Sequence, residues 1–388
     1  MFVGEKLANI RSLHGYSRQE LATKLNLTEQ AIWQYENGYV SPSLDNINQL
    51  KNLFKVKVKY FYSKQDINEL INENNIAYRS SERSSRQRTK AEKIHLEYLE
   101  NVLTSIEEHI VYPRGILKQL RDYAIDYKNK NSYNQNNKSV IIEHIAMYAR
   151  EKIGLTDNND NLLFLLEKSG AFIFEKMLGS KIDAYSTWSK IERPFIVLGN
   201  KKRSSVRRNF DLVHELAHLL LHHQMDIADF EKKEHDEIEA EADLFAANFL
   251  LPKEKFLEDL LCINKLSNPD SYIELKKKWK VSIAAIGHRV HDLGIMSYQQ
   301  YRYFNVLLHR KGYKIKEPLD NEIPIMRPGK VRSGFQIILE KNFTSVDNLL
   351  SYFNFELELL ADLLNIEMAF FEKYKGNKPI TPVSYFLS

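Results

Sequence analysis

The sequence predicts a mostly helical α+β protein, and three observations carry that expectation. Apolar residues recur at i, i+3 and i+4 over most of the chain, the period of an amphipathic helix. Two short β-like runs, Ala171-Phe172-Ile173-Phe174 and Pro194-Phe195-Ile196-Val197-Leu198, stand among the helical segments. They do not alternate with helices as βαβ units, so a small sheet beside helices is expected. No internal repeat and no glycine-rich phosphate loop is present.

Residues 1–63 read as a domain of five short helices. Leu7, Ile10 and Leu13 make one apolar stripe, Leu21, Ala22 and Leu25 a second, Ile32 and Tyr35 a third, and Leu44, Ile47 and Leu50 a fourth. Ser17 with Glu20 three residues on is a capping box, Thr28 can cap the next helix, Gly38 suits a left-handed C′ position, and Pro42 falls in a loop. In residues 64–93 the apolar period fades, and Arg79-Ser80-Ser81-Glu82-Arg83-Ser84-Ser85-Arg86-Gln87-Arg88 reads as an exposed basic linker. Helical patterns return over residues 92–110, and an Asn-rich loop follows at 129–137. The mixed region that begins at residue 139 then carries helices at 140–153, 162–168, 209–223 and 236–251. Domain limits of 94–320 and a helical C-terminal region, 321–388, complete the expected division.

A chain of 388 residues and 45.6 kDa is long enough for two or three domains. Its 43% apolar and 27% charged residues exclude wholesale disorder and collagen-like repeats. A single cysteine, Cys262, cannot form an intramolecular bridge, so a reducing, cytoplasmic setting is expected, with Cys262 buried as a small apolar group. The N-terminus lacks a signal-peptide core and no run of ~18 apolar residues occurs, so no membrane partner is expected. The net charge of +4 resides in residues 1–64, with nine basic against five acidic residues, while the remainder balances. That places the basic character on the module suited to DNA.

The sharpest motif is His214-Glu215-Leu216-Ala217-His218. On a helix, residues i and i+4 lie on one face, so both imidazoles can take adjacent corners of a zinc tetrahedron, with Glu215 beside the open position as general base. A third ligand comes from the later segment Glu239-Ala240-Glu241-Ala242-Asp243-Leu244-Phe245-Ala246-Ala247. The buried stripe Ala242, Phe245, Ala246, Phe249 and Leu250 extends backwards to Glu239, and Glu241 falls on another face. An acid that continues an apolar stripe needs a partner or a metal. Asp243 shares the Glu239 face and can accept a hydrogen bond from the remaining N–H of a ligand histidine. His222 continues the histidine face and is read either as a substrate contact or as a helix-end group bonding spare carbonyls.

These residues resemble the ImmA/IrrE family of zinc metallo-endopeptidases. The match runs through Asp183-Ala184-Tyr185-Ser186, Arg193-Pro194-Phe195-Ile196-Val197-Leu198, Arg208 to His222, Glu239 to Ala247 and Leu250-Leu251-Pro252. It covers about residues 140–320. The resemblance implies a gluzincin-like Zn2+ site with His214, His218 and Glu239 as ligands and Glu215 catalytic, acting on phage or stress-response repressors. Ala217 stands where many members carry Gly, and Asp243 where many carry Asn.

The first 63 residues are similar to the Cro/repressor-type helix-turn-helix family, also called XRE, through Ser17-Arg18-Gln19-Glu20-Leu21-Ala22, the segment from Thr28 to Gly38, and Ser41-Pro42. Glu29, Gln30, Trp33 and Gln34 project from the third helix opposite Ile32 and Tyr35, where Gln can read adenine and Glu can accept from cytosine. Arg18, Gln19 and Thr28 complete the expected DNA contacts, the first two at phosphates. Residues 275–290 also have helix-turn-helix spacing, with Ser282 as cap, and read as a structural pair of helices.

The expected function is a DNA-binding regulator at a double-stranded operator, with a zinc endopeptidase that cleaves a repressor protein or its own linker. Palindromic half-sites imply a homodimer. The competing reading is a transcription factor whose peptidase fold senses a ligand or metal without turnover. The role of 321–388 is not legible.

Overall fold

The computed structural model describes residues 1–63, 70–72, 77–78, 86–178, 183–200, 204–223 and 232–377. It divides into two compact units, one built from the chain termini (Met1–Glu73, Glu82–Tyr112 and Lys330–Ser388) and one central (Asn74–Ser81 and Pro113–Gly329).

The terminal unit begins with α1 (Gly4–Leu13), α2 (Arg18–Lys24), α3 (Glu29–Glu36) and α4 (Leu44–Phe54). The fifth expected helix is a 3-10 turn, Val58–Tyr62. The Ser17/Glu20 capping box forms, Thr28 caps α3 by accepting from Ala31 N at 3.1 Å, and Gly38 takes φ +73°. Leu7, Ile10, Leu21, Ile32 and Leu50 are fully buried, as their spacing requires. The helix α5 (Arg86–Glu107) follows. It absorbs the C-terminal end of the expected linker; residues 64–69, 73–76 and 79–85, which hold most of the basic run, lie outside the described residues.

The central unit contains α6 (Leu117–Lys130), α7 (Lys138–Ile153) and α8 (Leu162–Lys168). Its sheet has the order β1-β3-β4-β2, with β1 (Ala77–Tyr78), β2 (Phe172–Lys176), β3 (Ala184–Trp188) and β4 (Pro194–Gly199). β2 and β4 run parallel, and β3 is antiparallel to both β4 and β1. Two long helices, α9 (Ser205–Leu221) and α10 (Lys232–Leu250), carry the metal motif. The unit closes with α11 (Lys253–Leu260), α12 (Ile273–Trp279), α13 (Ile283–Asp292) and α14 (Tyr298–Arg310).

Helix α9 packs on β3 and β4 on one side and on α10 on another, and α10 packs in turn on α7. The Trp188 indole donates to Leu219 O at 2.9 Å, and Arg208 pairs with Glu175 of β2 in the buried interior. Arg150 of α7 is the main polar anchor. Its guanidinium donates to Asn159 Oδ1 (2.6 Å) and to the carbonyls of Phe249 (2.8 Å), Thr156 (3.0 Å) and Asn158 (2.7 Å), so the α10 C-terminus is tied to the loop after α7. The α12–α13 pair is structural as expected. Ser282 caps α13, and Glu317 accepts from the α13 amides of Ile283 and Ala284 while pairing with buried Lys276 at 2.8 Å.

The last helices, α15 (Lys330–Glu340), α16 (Val346–Phe353), α17 (Leu357–Leu364) and α18 (Met368–Glu372), return to the terminal unit. Lys57 N donates to Asn354 O at 2.8 Å, Glu356 N to Lys55 O at 2.9 Å, and Tyr98 stacks on Phe355. The boundaries expected at 63 and 320 therefore do not isolate the helix-turn-helix: aromatic groups on both ends of the chain share one core. Cys262, expected to be buried, is exposed, because it lies in the turn after α11.

Replacing Arg150 by Leu leaves four acceptors without their donor, two of them, Asn159 Oδ1 and Phe249 O, buried, which costs roughly 3–5 kcal/mol. The expected outcome is a large drop in the melting temperature of the full chain; an unchanged melting temperature would remove Arg150 from its anchoring role.

Candidate metal centre

The histidine face of α9 is buried because the helix is covered by the sheet and by α10. His214 and Glu215 are fully buried and His218 is 4% exposed. Small residues on α10, Ala242 and Ala246, allow the close approach that brings Glu239 to them. His214 Nε2 and His218 Nε2 stand 3.1 Å apart, and Glu239 Oε2 and Oε1 lie 3.3 Å and 3.5 Å from them respectively. These three groups could hold a metal ion, their ligand atoms all lying within 4.8 Å of one another. Glu215, on the same helix, is held by the sheet: Ser186 Oγ of β3 donates to Glu215 Oε2 at 2.7 Å and to its main-chain oxygen at 3.1 Å.

In the terminal unit, Gln19, Thr28, Glu29, Gln30 and Trp33 are exposed and Gln34 is half-buried, so the outward face of α3 lies where its periodicity places it. Trp33 stacks on Tyr39 with ring centroids 5.2 Å apart. Arg18 is more committed than expected. Its Nε donates to Glu36 Oε2 at 2.5 Å, and the same buried carboxylate accepts from Arg11 Nε at 2.5 Å, so this pair fixes α2 against the end of α3.

A family profile described as "Helix-turn-helix" matches residues 7–61, and one described as "IrrE N-terminal-like domain", of a peptidase family, matches residues 166–291. Over 67 residues the chain is 33% identical to the HTH-type transcriptional regulator ImmR of Bacillus subtilis (strain 168), a match covering 17% of this chain and 53% of the relative. Over 74 residues it is 31% identical to the SPbeta prophage-derived uncharacterized HTH-type transcriptional regulator YonR of the same strain, covering 18% of this chain and 68% of that protein. The chain belongs to the XRE-type helix-turn-helix family and carries an IrrE-like peptidase-family domain. It spans about half the length of the first of these relatives.

The IrrE-like domain holds His214 and His218 through two separate carboxylates. His214 Nδ1 faces Asp243 Oδ1 at 2.9 Å, as the shared face of Glu239 and Asp243 suggested. His218 Nδ1 faces His222 Nδ1 at 3.1 Å, and His222 Nε2 faces Glu241 Oε2 at 3.1 Å. The proton positions follow from the acceptors. Glu241 accepts from His222 Nε2–H, which leaves His222 Nδ1 to accept from His218 Nδ1–H and bares the His218 Nε2 lone pair toward Glu239. The His222 ring thus bonds His218 and Glu241 and not spare carbonyls, and Glu241 meets the α9 C-terminus instead of facing away. The signal for both was the histidine continuing the i+4 series beyond His218.

Burial pushes His218 down to about 4 and lowers His222, so both rings are neutral. Burial also works against charge on His214, but Asp243 and Glu239 outweigh it and hold this ring up at about 9. Burial likewise opposes charge on Glu239, yet the two histidines hold its carboxyl well below the usual range. Glu241 is lowered against burial by His222 and the neighbouring Tyr133. In the metal-free protein a proton on His214 Nε2 therefore stands in for a cation.

A metal must expel that proton, so its affinity is expected to rise about tenfold per pH unit and to level off near pH 9. The raised pKa stabilises the metal-free fold fully below about 6.5 and ceases to do so as pH passes about 9. Chelator competition and thermal melting of the metal-free chain across pH 6–10 check both; a pH-independent affinity is the contrary result.

Proposed function

We propose that the chain is a DNA-binding transcriptional regulator whose IrrE-like domain is a zinc-dependent endopeptidase acting on a repressor protein. One observation carries the enzymatic part. Ligand bonds of ~2.0–2.1 Å in a tetrahedron separate neighbouring ligand atoms by about 3.3 Å, and the three separations are 3.1, 3.3 and 3.5 Å. Two imidazoles, of which His214 must first give up a proton, and one carboxylate, each held by a further hydrogen-bond partner or packed between helices, match the donor set of a catalytic zinc site with one position left for water.

Zinc bound there supplies Lewis acidity, which acidifies a water and polarises a peptide carbonyl. Glu215, next in sequence to a ligand and with one carboxylate oxygen held by Ser186, takes the proton from the attacking water. The same carboxyl returns it to the amine that leaves, while Asp243 and the His222–Glu241 pair keep the ligand rings in one tautomer. The helix-turn-helix raises the local concentration of the enzyme near a DNA-bound substrate. Gln30 and Gln34 of α3 read bases in the major groove, Glu29 and Trp33 flank them, and Arg18, Gln19 and Thr28 lie beside the backbone. A homodimer would match a palindromic operator, and a cytoplasmic setting suits the single thiol and the DNA target.

A second reading rests on the groove of about 1080 Å³ beside the centre, lined by Phe210, Asp243, Leu244, Val281 and Tyr301. A small molecule bound there would reach Asp243, and through it His214, so the domain would sense a ligand without turnover.

Incubation of zinc-loaded chain with repressors encoded by neighbouring genes, followed by mass spectrometry, separates the two readings. Wild type is expected to cut one of them and Glu215→Gln to be at least ~10²-fold slower with zinc stoichiometry unchanged. Substrates left intact by both, with operator binding retained, favour the sensor. In fluorescence anisotropy at fixed salt, Gln30→Ala and Gln34→Ala are each expected to weaken operator binding by about 1–3 kcal/mol; undiminished binding by both would dismiss α3 as the reader.

A further inference from the structure

Two turns of the terminal unit, one after α4 and one after α16, have the same construction. Each helix opens on Ser-x-Asp-Asn, Ser43-Leu44-Asp45-Asn46 and Ser345-Val346-Asp347-Asn348, and in each the serine hydroxyl accepts from the asparagine amide, at 3.3 Å and 3.1 Å. Each helix ends on a left-handed residue, Lys55 with φ 54° and Asn354 with φ 58°. A buried apolar residue follows, Val56 or Phe355, and then an extended residue, Lys57 or Glu356, from which the next helical segment starts. The two turns meet antiparallel, with Val56 opposite Phe355. Lys57 N donates to Asn354 O at 2.8 Å and Glu356 N to Lys55 O at 2.9 Å, so exchanging the turns maps one bond onto the other. Such a self-complementary contact is what two copies of one surface make in a two-fold dimer. Here both halves belong to one chain, and Tyr60 and Tyr98 pack their rings against Phe355.

We infer that α16–α17 is a built-in partner of the helix-turn-helix: it fills in cis the self-complementary α4 turn that a second copy could otherwise occupy, and the chain engages DNA as one molecule on an asymmetric site. The inference rests on the DNA-binding reading of α3. Being part of the same chain, and with α17 packed also on α5, which itself packs on α1, the partner holds this face at any protein concentration. The homodimer that a palindrome calls for is thereby denied the α4 turn. Nor does the built-in partner supply a second reader. Residues 345–372 contain six acidic and no basic residues, and Glu358 and Asp362 form the exposed side of α17, where phosphates would repel them. Only α3 carries exposed amide and aromatic groups toward DNA, so one chain reads one site.

The test uses the full-length chain, unmodified and as Cys262→Ser/Val56→Cys/Phe355→Cys. Val56 and Phe355 form the closely spaced kind of antiparallel pair, with Cα atoms about 4.5 Å apart and within reach of a disulfide. Oxidation is expected to join the two cysteines inside one chain, and sedimentation to give the one-chain mass of 45.6 kDa. Selection from a pool of random-sequence duplexes is expected to enrich a motif without a dyad, bound by one unmodified chain per duplex and by the oxidised variant within about threefold of the same affinity. Should the cysteine variant fail to fold or to oxidise, amide exchange of the unmodified chain takes its place. Protection at Lys57 and Glu356 is expected to survive about a hundredfold dilution, as a contact within one chain does and a contact between copies does not. A disulfide between chains, protection lost on dilution, a dyad motif bound by two chains, or an oxidised variant at least tenfold weaker on the enriched duplex would overturn the inference. A one-chain mass with no duplex enriched would uphold the cis pairing and defeat the DNA-binding reading instead.

Discussion

The contact on which the central unit depends is the approach of Glu239 to two imidazole nitrogens that stand 3.1 Å apart. Buried lone pairs and a half-buried carboxylate at such distances repel one another, so the arrangement is stabilised by a cation, a proton or a metal, among them. Much of the surrounding structure serves that condition. Ala242 and Ala246 let α10 come close to α9, Arg150 fixes the far end of α10, and Trp188 and Arg208 fix α9 against the sheet. The raised His214 and depressed Glu239 are the electrostatic record of one site designed around one positive charge.

The supports of the two histidines differ, and the difference has a physical consequence. Asp243, the support of His214, is itself 55% exposed in its side chain, whereas the His222–Glu241 pair behind His218 is largely buried. Burial opposes charge on both rings; at His214 Asp243 and Glu239 outweigh it and hold the ring up at about 9, whereas at His218 burial prevails and pushes the ring down to about 4. At neutral pH His214 thus carries a second proton and His218 does not.

The sequence was legible where periodicity and chemistry coincide. His214, His218 and Glu239 lie on helix faces whose apolar neighbours already point inward, so their convergence follows from spacing. Glu241 was not, because helical periodicity places it about 200° from Glu239 and treats a helix as having one inner face. α10 packs on both α9 and α7 and so has two. Strand β3 escaped for a related reason. Its centre, Tyr185-Ser186-Thr187, is polar and yet wholly buried, since Ser186 is spent on Glu215 and no apolar alternation marks it. The helices of 330–377 were readable as helices, but nothing local indicates that Phe355 would meet Tyr60 and Tyr98 across nearly three hundred residues.

That last contact bears on how the two units are built from one chain. The α3 helix is held by Glu36 to α2 and α1, and the core beneath it is completed by residues from both ends of the sequence. The chain therefore leaves the DNA-reading unit after residue 73 and returns to it at 82, and in between it contributes one strand to the other unit.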